Sequence, residues 1–418
     1  MTGLNEGARL PGGPFRRIAG WILLAGVSSA QVVAYVEATD IASRRWWLAD
    51  PAVVRQAALD GANPKAVFEF PESESPIVAS IAADPAHGRL FLGVEQAGPD
   101  FDASEIARVG MDGRGYRRLY RASAGTRVVV AYDPGEDRVY FVEGAAPALV
   151  VRRMEADGSH MATLLTLAVE EVHDLEVDAV HRRLYWSQDE NGTHAGSIEC
   201  ANLDGSGRQR LYTDLGTNAL AGFGLDVAHG DLYWVRSDDM LQRGALDGKR
   251  KPETVLIGAA VGRSPTGLGV QAASGQILWI SAGDLTVRRA LLSGADARVV
   301  FRATAPTALA VENSDVPRAG PLSTLGVTAM SARLSAEVAA EGDAPLSARG
   351  VVLAPPGAAP PAIGAAGVVV LNAPGGLGSF SVEAAGLVPG AAYAARAFAT
   401  NVFGTGYGPV ETFRTRPR

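Results

Sequence analysis

Residues 178–205 read DAVHRRLYWSQDENGTHAGSIECANLDG. The stretch starts at Asp178, which ends a short apolar strand, reaches the run Leu184-Tyr185-Trp186 six residues later, and closes on Asp204-Gly205. An Asp-Gly pair favours a tight hairpin turn. The stretch therefore predicts a small antiparallel unit, in which this turn joins a third strand to an outermost fourth strand.

The same unit recurs along the chain at intervals of 45 to 49 residues. Its copies start at Asp84, Asp133, Asp178, Asp226 and Gln271. Their closing turns stand at Asp112-Gly113, Asp157-Gly158, Asp204-Gly205, Asp247-Gly248 and Ser293-Gly294. A period of roughly 40 to 50 residues is typical of β-propellers, in which each repeat supplies one blade.

A sixth unit is split between the two ends of the repeat region. The opening strand of the fifth copy, 265–270, is repeated at 306–311 with nothing downstream to pair with it. Its partners are predicted at the start of the region, as strands at 31–36, 53–59 and 65–70, with the Asp60-Gly61 turn between the last two. The sequence thus predicts an all-β fold, a six-bladed propeller over 31–312 with one composite blade closed by 306–312, which leaves no open sheet edge at the junction.

The first thirty residues have the order of a secretory signal. Arg16 and Arg17 precede an apolar run, 18–27, that ends in the small residues 28–30. The run is too short to span a bilayer, and Val27 stands where a lipoprotein would carry its cysteine. We therefore expect cleavage after Ala30 and export to the periplasm, the cell surface or the medium, with no transmembrane segment in the mature chain.

The repeat resembles the YWTD-repeat (class B) propellers of low-density lipoprotein receptors. Leu184-Tyr185-Trp186-Ser187 and Leu232-Tyr233-Trp234 are close to that motif, and the resemblance covers roughly 280 of the 418 residues. Gln188 replaces the final Asp, and the cysteine-rich modules of the animal receptors are missing. A distant bacterial-type member is the better match, and the resemblance implies a protein that recognises ligands rather than an enzyme.

Composition changes after a predicted linker at 313–321. Residues 322–418 are rich in Ala, Gly, Pro and Val and carry short strand patterns, which favours a β-sandwich. Leu387, Pro389, Gly390 and Tyr393 reproduce a tyrosine corner, in which the phenol reaches backbone a few residues upstream. A Gly-rich hairpin at 401–408 follows. This segment resembles a fibronectin type III-like domain of bacterial extracellular proteins.

Composition also excludes several classes of function. A net charge of −7 and a pI near 5.5 argue against nucleic acid as a partner. Cys200 is the one cysteine and is expected to be a buried thiol. The chain lacks the Gly-x-Ser-x-Gly, Gly-x-x-x-x-Gly-Lys, His-Glu-x-x-His and Cys-x-x-Cys motifs. We expect a monomer without a cofactor.

Polar residues recur at two sets of loops that share one face of a propeller. An acidic residue follows each second strand, and the set consists of Glu37, Glu95, Glu143, Asp189 with Glu190, Asp238 with Asp239, and Asp284. At the entries to the innermost strands stand Glu74, Arg127, His173, Asn218 and Ser264. Convergent negative charge would attract a cationic partner or hold calcium. The alternative is that these are ordinary solvated loops of an acidic protein.

The repeated Asp84, Asp133, Asp178 and Asp226 are interpreted as structural, because buried carboxylates need hydrogen-bond partners, here expected in backbone between blades. Two functions remain open. The first is an exported, non-enzymatic recognition or scaffold protein whose propeller face binds a protein or a glycan. The second is a calcium-dependent propeller hydrolase of the gluconolactonase type, which needs three or four oxygen ligands around one point. His173 and Arg127 weigh against the second.

Overall fold

A computed structural model describes residues 45–418 with short gaps. Residues 1–44 lie outside it, and with them the predicted signal sequence, its cleavage site and Glu37. The gaps are 51–52, 71–75, 97–103, 123–127, 194, 214, 217–219, 312–315, 343 and 356–359. Within the described residues no helix is long and apolar enough to cross a bilayer.

Among the described residues, the first twenty-four strands build the repeat region. Strands β1 (Arg45–Asp50), β2 (Val53–Ala58) and β3 (Lys65–Glu69) lie side by side. The next twenty form five sheets of four consecutive antiparallel strands. The second sheet contains β4 (Pro76–Asp84), β5 (Arg89–Gln96), β6 (Glu105–Gly110) and β7 (Arg117–Arg121). The third contains β8 (Val129–Asp133), β9 (Arg138–Ala145), β10 (Ala148–Glu155) and β11 (Ala162–Leu167).

The remaining three sheets of this series follow the same order. The fourth contains β12 (Val169–Asp178), β13 (Arg183–Glu190), β14 (Gly196–Asn202) and β15 (Gln209–Tyr212). The fifth contains β16 (Leu220–Asp226), β17 (Asp231–Arg236), β18 (Met240–Ala245) and β19 (Glu253–Ile257). The sixth contains β20 (Pro265–Gln271), β21 (Gln276–Ser281), β22 (Thr286–Leu291) and β23 (Arg298–Arg302). Three single-turn 3-10 helices lie at Gly258–Ala260, Ala272–Ser274 and Ala282–Asp284.

Strand β24 (Ala308–Val311) completes the first sheet from the far end of the chain. It pairs antiparallel with β1, opposing Ala308 to Ala49 and Leu309 to Leu48, and the order of the sheet is β24-β1-β2-β3. The prediction of 31–36 as the second strand of this blade is therefore wrong. Residues 45–50 take that place because they form a tight hairpin with β2, while 31–36 lie outside the described residues.

The Asp-Gly turns explain why the sheets form a closed ring. A Cβ added at Gly61 would lie 1.9 Å from the carbonyl oxygen of Val300, so this turn of the first sheet touches the outermost strand of the sixth. Five further turn glycines, all with positive φ, approach the outermost strand of the preceding sheet in the same way. They are Gly113, Gly158, Gly205, Gly248 and Gly294. Glycine is needed here both for the left-handed backbone and for the space.

The second strands supply the large side chains between neighbouring sheets. Trp186, Trp234 and Trp279 are fully buried, as are Tyr140, Tyr185, Tyr233, Phe91 and Phe141. The indole N–H of Trp186 donates to Gln188 Oε1 at 2.7 Å. Cys200 is completely buried, as predicted. These observations confirm the predicted six-bladed β-propeller.

The repeated aspartates end the innermost strands and are structural, but mostly within their own turns. Asp178 Oδ1 accepts the N–H groups of Val180 and His181 at 3.0 and 2.9 Å. Gln271 serves the same purpose in its copy, accepting the N–H of Ser274 at 2.7 Å. A contact between blades is made at Asp133, whose Oδ2 accepts from Arg182 of the next sheet at 2.8 Å.

A β-sandwich follows the propeller. One sheet contains β25 (Arg318–Ala319), β26 (Ser323–Leu325), β27 (Ser331–Ala340) and β30 (Gly378–Ala385). The other contains β28 (Ala348–Ala354), β29 (Val369–Ala373), β31 (Ala392–Asn401), β32 (Gly404–Tyr407) and β33 (Glu411–Arg414). The N–H of Val388 donates to the phenol oxygen of Tyr393 at 2.9 Å, so the predicted tyrosine corner is formed.

The connection between propeller and sandwich is shorter than predicted. Arg318 and Ala319 were expected in the linker at 313–321 but pair with β27. The carbonyl oxygen of Pro317 lies against the Gly-rich hairpin, where a Cβ added at Gly406 would be only 1.7 Å from it. This close approach requires glycine at that position of the hairpin and ties the connection to the sandwich.

Candidate functional site

The propeller has two faces that carry different connections. We call the face with the second-to-third-strand loops and the entries to the innermost strands the mouth face, and the opposite one, with the first-to-second and third-to-fourth turns, the turn face. The antiparallel order within each sheet places these connections at opposite ends of the blades. The predicted ligand-binding residues belong to the mouth face.

Glu143 of this set is buried rather than exposed. It is 5% exposed and accepts hydrogen bonds at 2.9 and 3.0 Å from the phenol of Tyr120 on the neighbouring sheet. The guanidinium of Arg152 lies 2.6 Å from the same carboxylate. Burial, followed by the hydrogen bond to Glu143, raises the pKa of the Tyr120 phenol. Glu143 is therefore held between two blades by these partners and is not exposed on a loop.

His173 and Asp189 form a pair within the fourth sheet, where they lie on β12 and β13 and not in the predicted loops. The Nε2 atom of His173 lies 2.9 Å from the Asp189 carboxylate, and its Nδ1 atom lies 3.7 Å from Glu171. Asp189 is only 3% exposed. The structure therefore brings these two predicted site residues together, but as partners of one another within the same blade.

Asp238 and Asp284 lie on the mouth face of the fifth and sixth sheets, with side chains 49% and 28% exposed. Asp238 is bound by its neighbour Arg236 at 2.7 Å, which lowers its pKa. Asp284 accepts from the N–H of Arg263 at 3.1 Å and from the Ser281 hydroxyl at 2.9 Å, and these bonds lower its pKa. Glu95, at the end of β5, is partly buried. Arg127, like Glu37, lies outside the described residues.

A rigid surface that the sequence did not reveal joins the fifth and sixth sheets on the mouth face. Gly258 donates its N–H to Asp239 at 2.8 Å, and Gly283 donates to Arg263 at 2.9 Å. Arg288 reaches across to the carbonyl of Ala259 at 3.0 Å. Both loops are thus fixed by hydrogen bonds to neighbouring segments of backbone.

Two aliphatic side chains project from this surface. Leu285 is 45% exposed and has a φ of +54°, and Ile257 is 63% exposed. A left-handed backbone is costly for leucine, and such strain persists only where surrounding contacts impose it. We call residues 257–264 and 282–285 the Leu285 surface. No pattern of residue types predicts it, because φ at Leu285 is set by the surrounding loop contacts.

The innermost strands enclose a central channel with a cavity of about 200 Å³. Small side chains line it, among them Ala79, Ala131, Ala221, Ala308 and Ala310. The charged or ionisable residues of its lining are Asp84, Tyr132, His173, Asp174 and Glu176. Neither lysine nor arginine is present among the described residues of that lining.

The sandwich contributes to the lining at the turn-face end of this channel. Ala344, Val402 and Phe403 line the same cavity as the turns of the innermost strands. A Cβ added at Gly135, in a turn of the third sheet, would lie 3.6 Å from the Val402 side chain, an ordinary van der Waals distance.

Asp84, His87 and Asp137 lie close enough together to be considered for a metal ion. Arg89 already occupies the centre of this group, with a nitrogen 2.5 Å from Asp84 and 2.5 Å from Asp137. The phenol of Tyr132 adds a hydrogen bond to Asp137 at 2.9 Å. Arg89 thus links a carboxylate of the second sheet to a carboxylate of the third.

Comparison with known proteins supports the fold. No protein-family model matches the chain. A chain in the crystal structure of a nidogen–laminin complex is 13% identical with a TM-score of 0.55, and the match covers 64% of this chain and 98% of that one. A protein from Lactobacillus plantarum is 8% identical, with a TM-score of 0.44 over 64% of this chain and 99% of its own. A Niastella koreensis GH74 enzyme is 11% identical, with a TM-score of 0.41 over 69% and 47%. The first likeness agrees with a propeller fold, and the other two carry no argument.

Proposed function

We propose that this chain is a non-enzymatic recognition protein that binds a protein partner on the mouth face of its propeller. The observation that carries this proposal is the Leu285 surface. Exposed aliphatic side chains on a hydrogen-bonded frame suit a protein interface, because a rigid anchor loses little conformational entropy on binding. A glycan ligand, the other partner class consistent with a recognition propeller, would instead need polar groups free to bond to it.

The arrangement of carboxylates supports recognition over catalysis. A calcium-dependent hydrolase needs several oxygen ligands converging on one point. Glu143 and Asp189 are instead bound to Arg152 and His173 within their blades, and Asp284 is bound to backbone and to Ser281. We therefore do not advance the gluconolactonase-type alternative. The resemblance to YWTD propellers and to fibronectin type III-like domains agrees with a recognition role.

Export forms a second part of the proposal. It rests on Arg16 and Arg17 before the apolar run and on the small residues before Gln31. Mass spectrometry of protein recovered outside the cytoplasm should give a first residue of Gln31. A folded extracytoplasmic product that retains Met1 would contradict cleavage.

Site-specific crosslinking tests the binding face. Leu285→Cys and Leu291→Cys place a thiol at opposite ends of β22, on the mouth and turn faces, and both native leucines are similarly exposed, at 45% and 41%. The buried Cys200, whose thiol pKa is raised by burial, gives little background labelling. Each variant is labelled with a maleimide benzophenone and irradiated in the extracellular fraction of the source cells.

We expect a discrete adduct from the Leu285→Cys protein, identified by mass spectrometry as one protein, and none from the Leu291→Cys protein. An adduct with a glycan at this position would show that the partner is a carbohydrate and would contradict a protein partner. Equal adducts from both variants would contradict a binding surface on the mouth face.

A further inference from the structure

The central channel contains one acid that the recognition proposal does not use. Glu176 lies on β12, and its accessible surface opens into the channel rather than into bulk solvent. Its side-chain carboxylate forms neither a hydrogen bond nor an ion pair with any described residue. An ionised carboxylate without a partner is unfavourable in such surroundings, so a position of this kind is expected to have a ligand.

Its neighbour Asp174 makes the channel negative without compensating Glu176. Asp174 accepts the N–H of Leu175 at 2.9 Å and the N–H of Phe223, on the next sheet, at 3.1 Å. These bonds stabilise its charged form and link the innermost strands of two blades. Burial, and then the negative charge of Asp174, raises the pKa of Glu176 well above its usual range.

The other ionisable groups of the lining do not offset this charge. His173 is bound to Asp189, and Asp84 is bound to Arg89 outside the cavity. Tyr132 is neutral because burial raises the pKa of its phenol. Among the described residues of the lining, none supplies positive charge to balance an ionised Glu176, so without a ligand its neutral form is favoured.

We propose that the channel binds a small organic cation, a primary alkylammonium, with Glu176 as its counter-ion. The cavity of about 200 Å³ has room for several non-hydrogen atoms, since a water molecule takes about 30 Å³. Alanine, valine and leucine side chains of the innermost strands offer an apolar wall for the alkyl part. A metal ion fits less well, because both Asp174 oxygens already accept backbone N–H groups.

Binding of this ligand is coupled to a proton. The cation favours the ionised carboxylate, so uptake displaces a proton from Glu176, and the affinity rises with pH until Glu176 is ionised in the free protein.

Calorimetry on the full chain tests the proposal with n-butylammonium as the probe. We expect Glu176→Gln to weaken binding at least tenfold. Glu383→Gln, the same change on an exposed strand of the sandwich, should have no effect. Titrations in buffers of different ionisation enthalpy should show proton release for the wild type. Ala79→Leu keeps Glu176 and narrows the cavity, and it should also weaken binding.

Thermal melts confirm that each variant is folded. Binding by Glu176→Gln at the wild-type affinity would overturn the proposal. So would calcium binding that depends on Glu176 with no binding of the ammonium probe, or the absence of binding by the folded wild type at millimolar probe.

Discussion

Gly61 and Val300 are in contact although they belong to the first and sixth sheets, and a Cβ at Gly61 would lie 1.9 Å from the Val300 carbonyl oxygen. A glycine of the same turn joins each other pair of neighbouring blades, and here it joins the first blade to the last. It works together with the pairing of β24 and β1. Closure thus depends on backbone packing at a turn as well as on strand pairing.

Gly61→Ala should therefore destabilise the propeller more than an equally left-handed glycine elsewhere. Gly88 is the matched control, because it has a φ of +65° and no atom lies within 4 Å of its added Cβ. The backbone cost is about 1 kcal/mol at both sites. Overpacking should add about 1 to 3 kcal/mol at Gly61. Urea denaturation measures both, and equal losses would contradict the contact.

Glu143→Gln should lower stability by about 2 kcal/mol, because it leaves Arg152 without its buried counter-ion. Asp238→Asn is the control, since that carboxylate is 49% exposed and should contribute less than about 1 kcal/mol. Thermal unfolding distinguishes the two. Similar small losses of stability in the two variants would indicate that Glu143 is solvated at the mouth face.

These two positions show what sequence reasoning can and cannot reach. The acidic residue after each second strand is visible in the repeat, but its surroundings are not. Tyr120 lies 23 residues before Glu143 and on another sheet, so only the packing of the blades brings them together. Asp238 has the same place in the repeat, yet its partner is two residues away and it stays exposed.

The fold was more predictable than the site for a physical reason. Asp-Gly turns, apolar periodicity and buried aromatic residues recur in every blade, so each copy supports the others. The sequence around the second strand of the composite blade does not repeat that of the other blades. The sequence therefore predicts this strand at 31–36, whereas the structure has it at 45–50. The Leu285 surface likewise occurs once, and its left-handed backbone is imposed by tertiary contacts.

Leu285→Gly should leave the stability unchanged or raise it by up to about 1 kcal/mol. Glycine removes the steric cost of the left-handed backbone. This gain in stability offsets the loss that comes from the greater conformational entropy of glycine in the unfolded chain. Leu291→Gly lies in an extended strand and should cost about 1 kcal/mol. Chemical denaturation measures the free energy of unfolding of both glycine variants. A clear loss at Leu285 would mean that the side chain contributes to folding and is not held in a strained position.

Glu176→Gln should stabilise the ligand-free protein increasingly as the pH rises. The pKa of Glu176 is higher in the folded state, so its contribution to stability is fully present below the unfolded pKa and is lost as pH rises through the folded value. Glutamine removes that loss. The difference in Tm between variant and wild type should therefore be small at acidic pH and grow toward neutrality. A difference independent of pH would contradict the buried, unpaired carboxyl.

The affinity of the crosslinked partner tests most directly whether the mouth face is the binding face. Leu285→Asp and Leu291→Asp make the same change at the two ends of β22, and aspartate tolerates the left-handed backbone at Leu285. Removal of a central anchor typically costs about 2 kcal/mol, or roughly thirtyfold in Kd. We predict that loss for Leu285→Asp and less than about a twofold change for Leu291→Asp. Equal Kd values for the two variants, or a larger loss at Leu291, would contradict recognition through the mouth face.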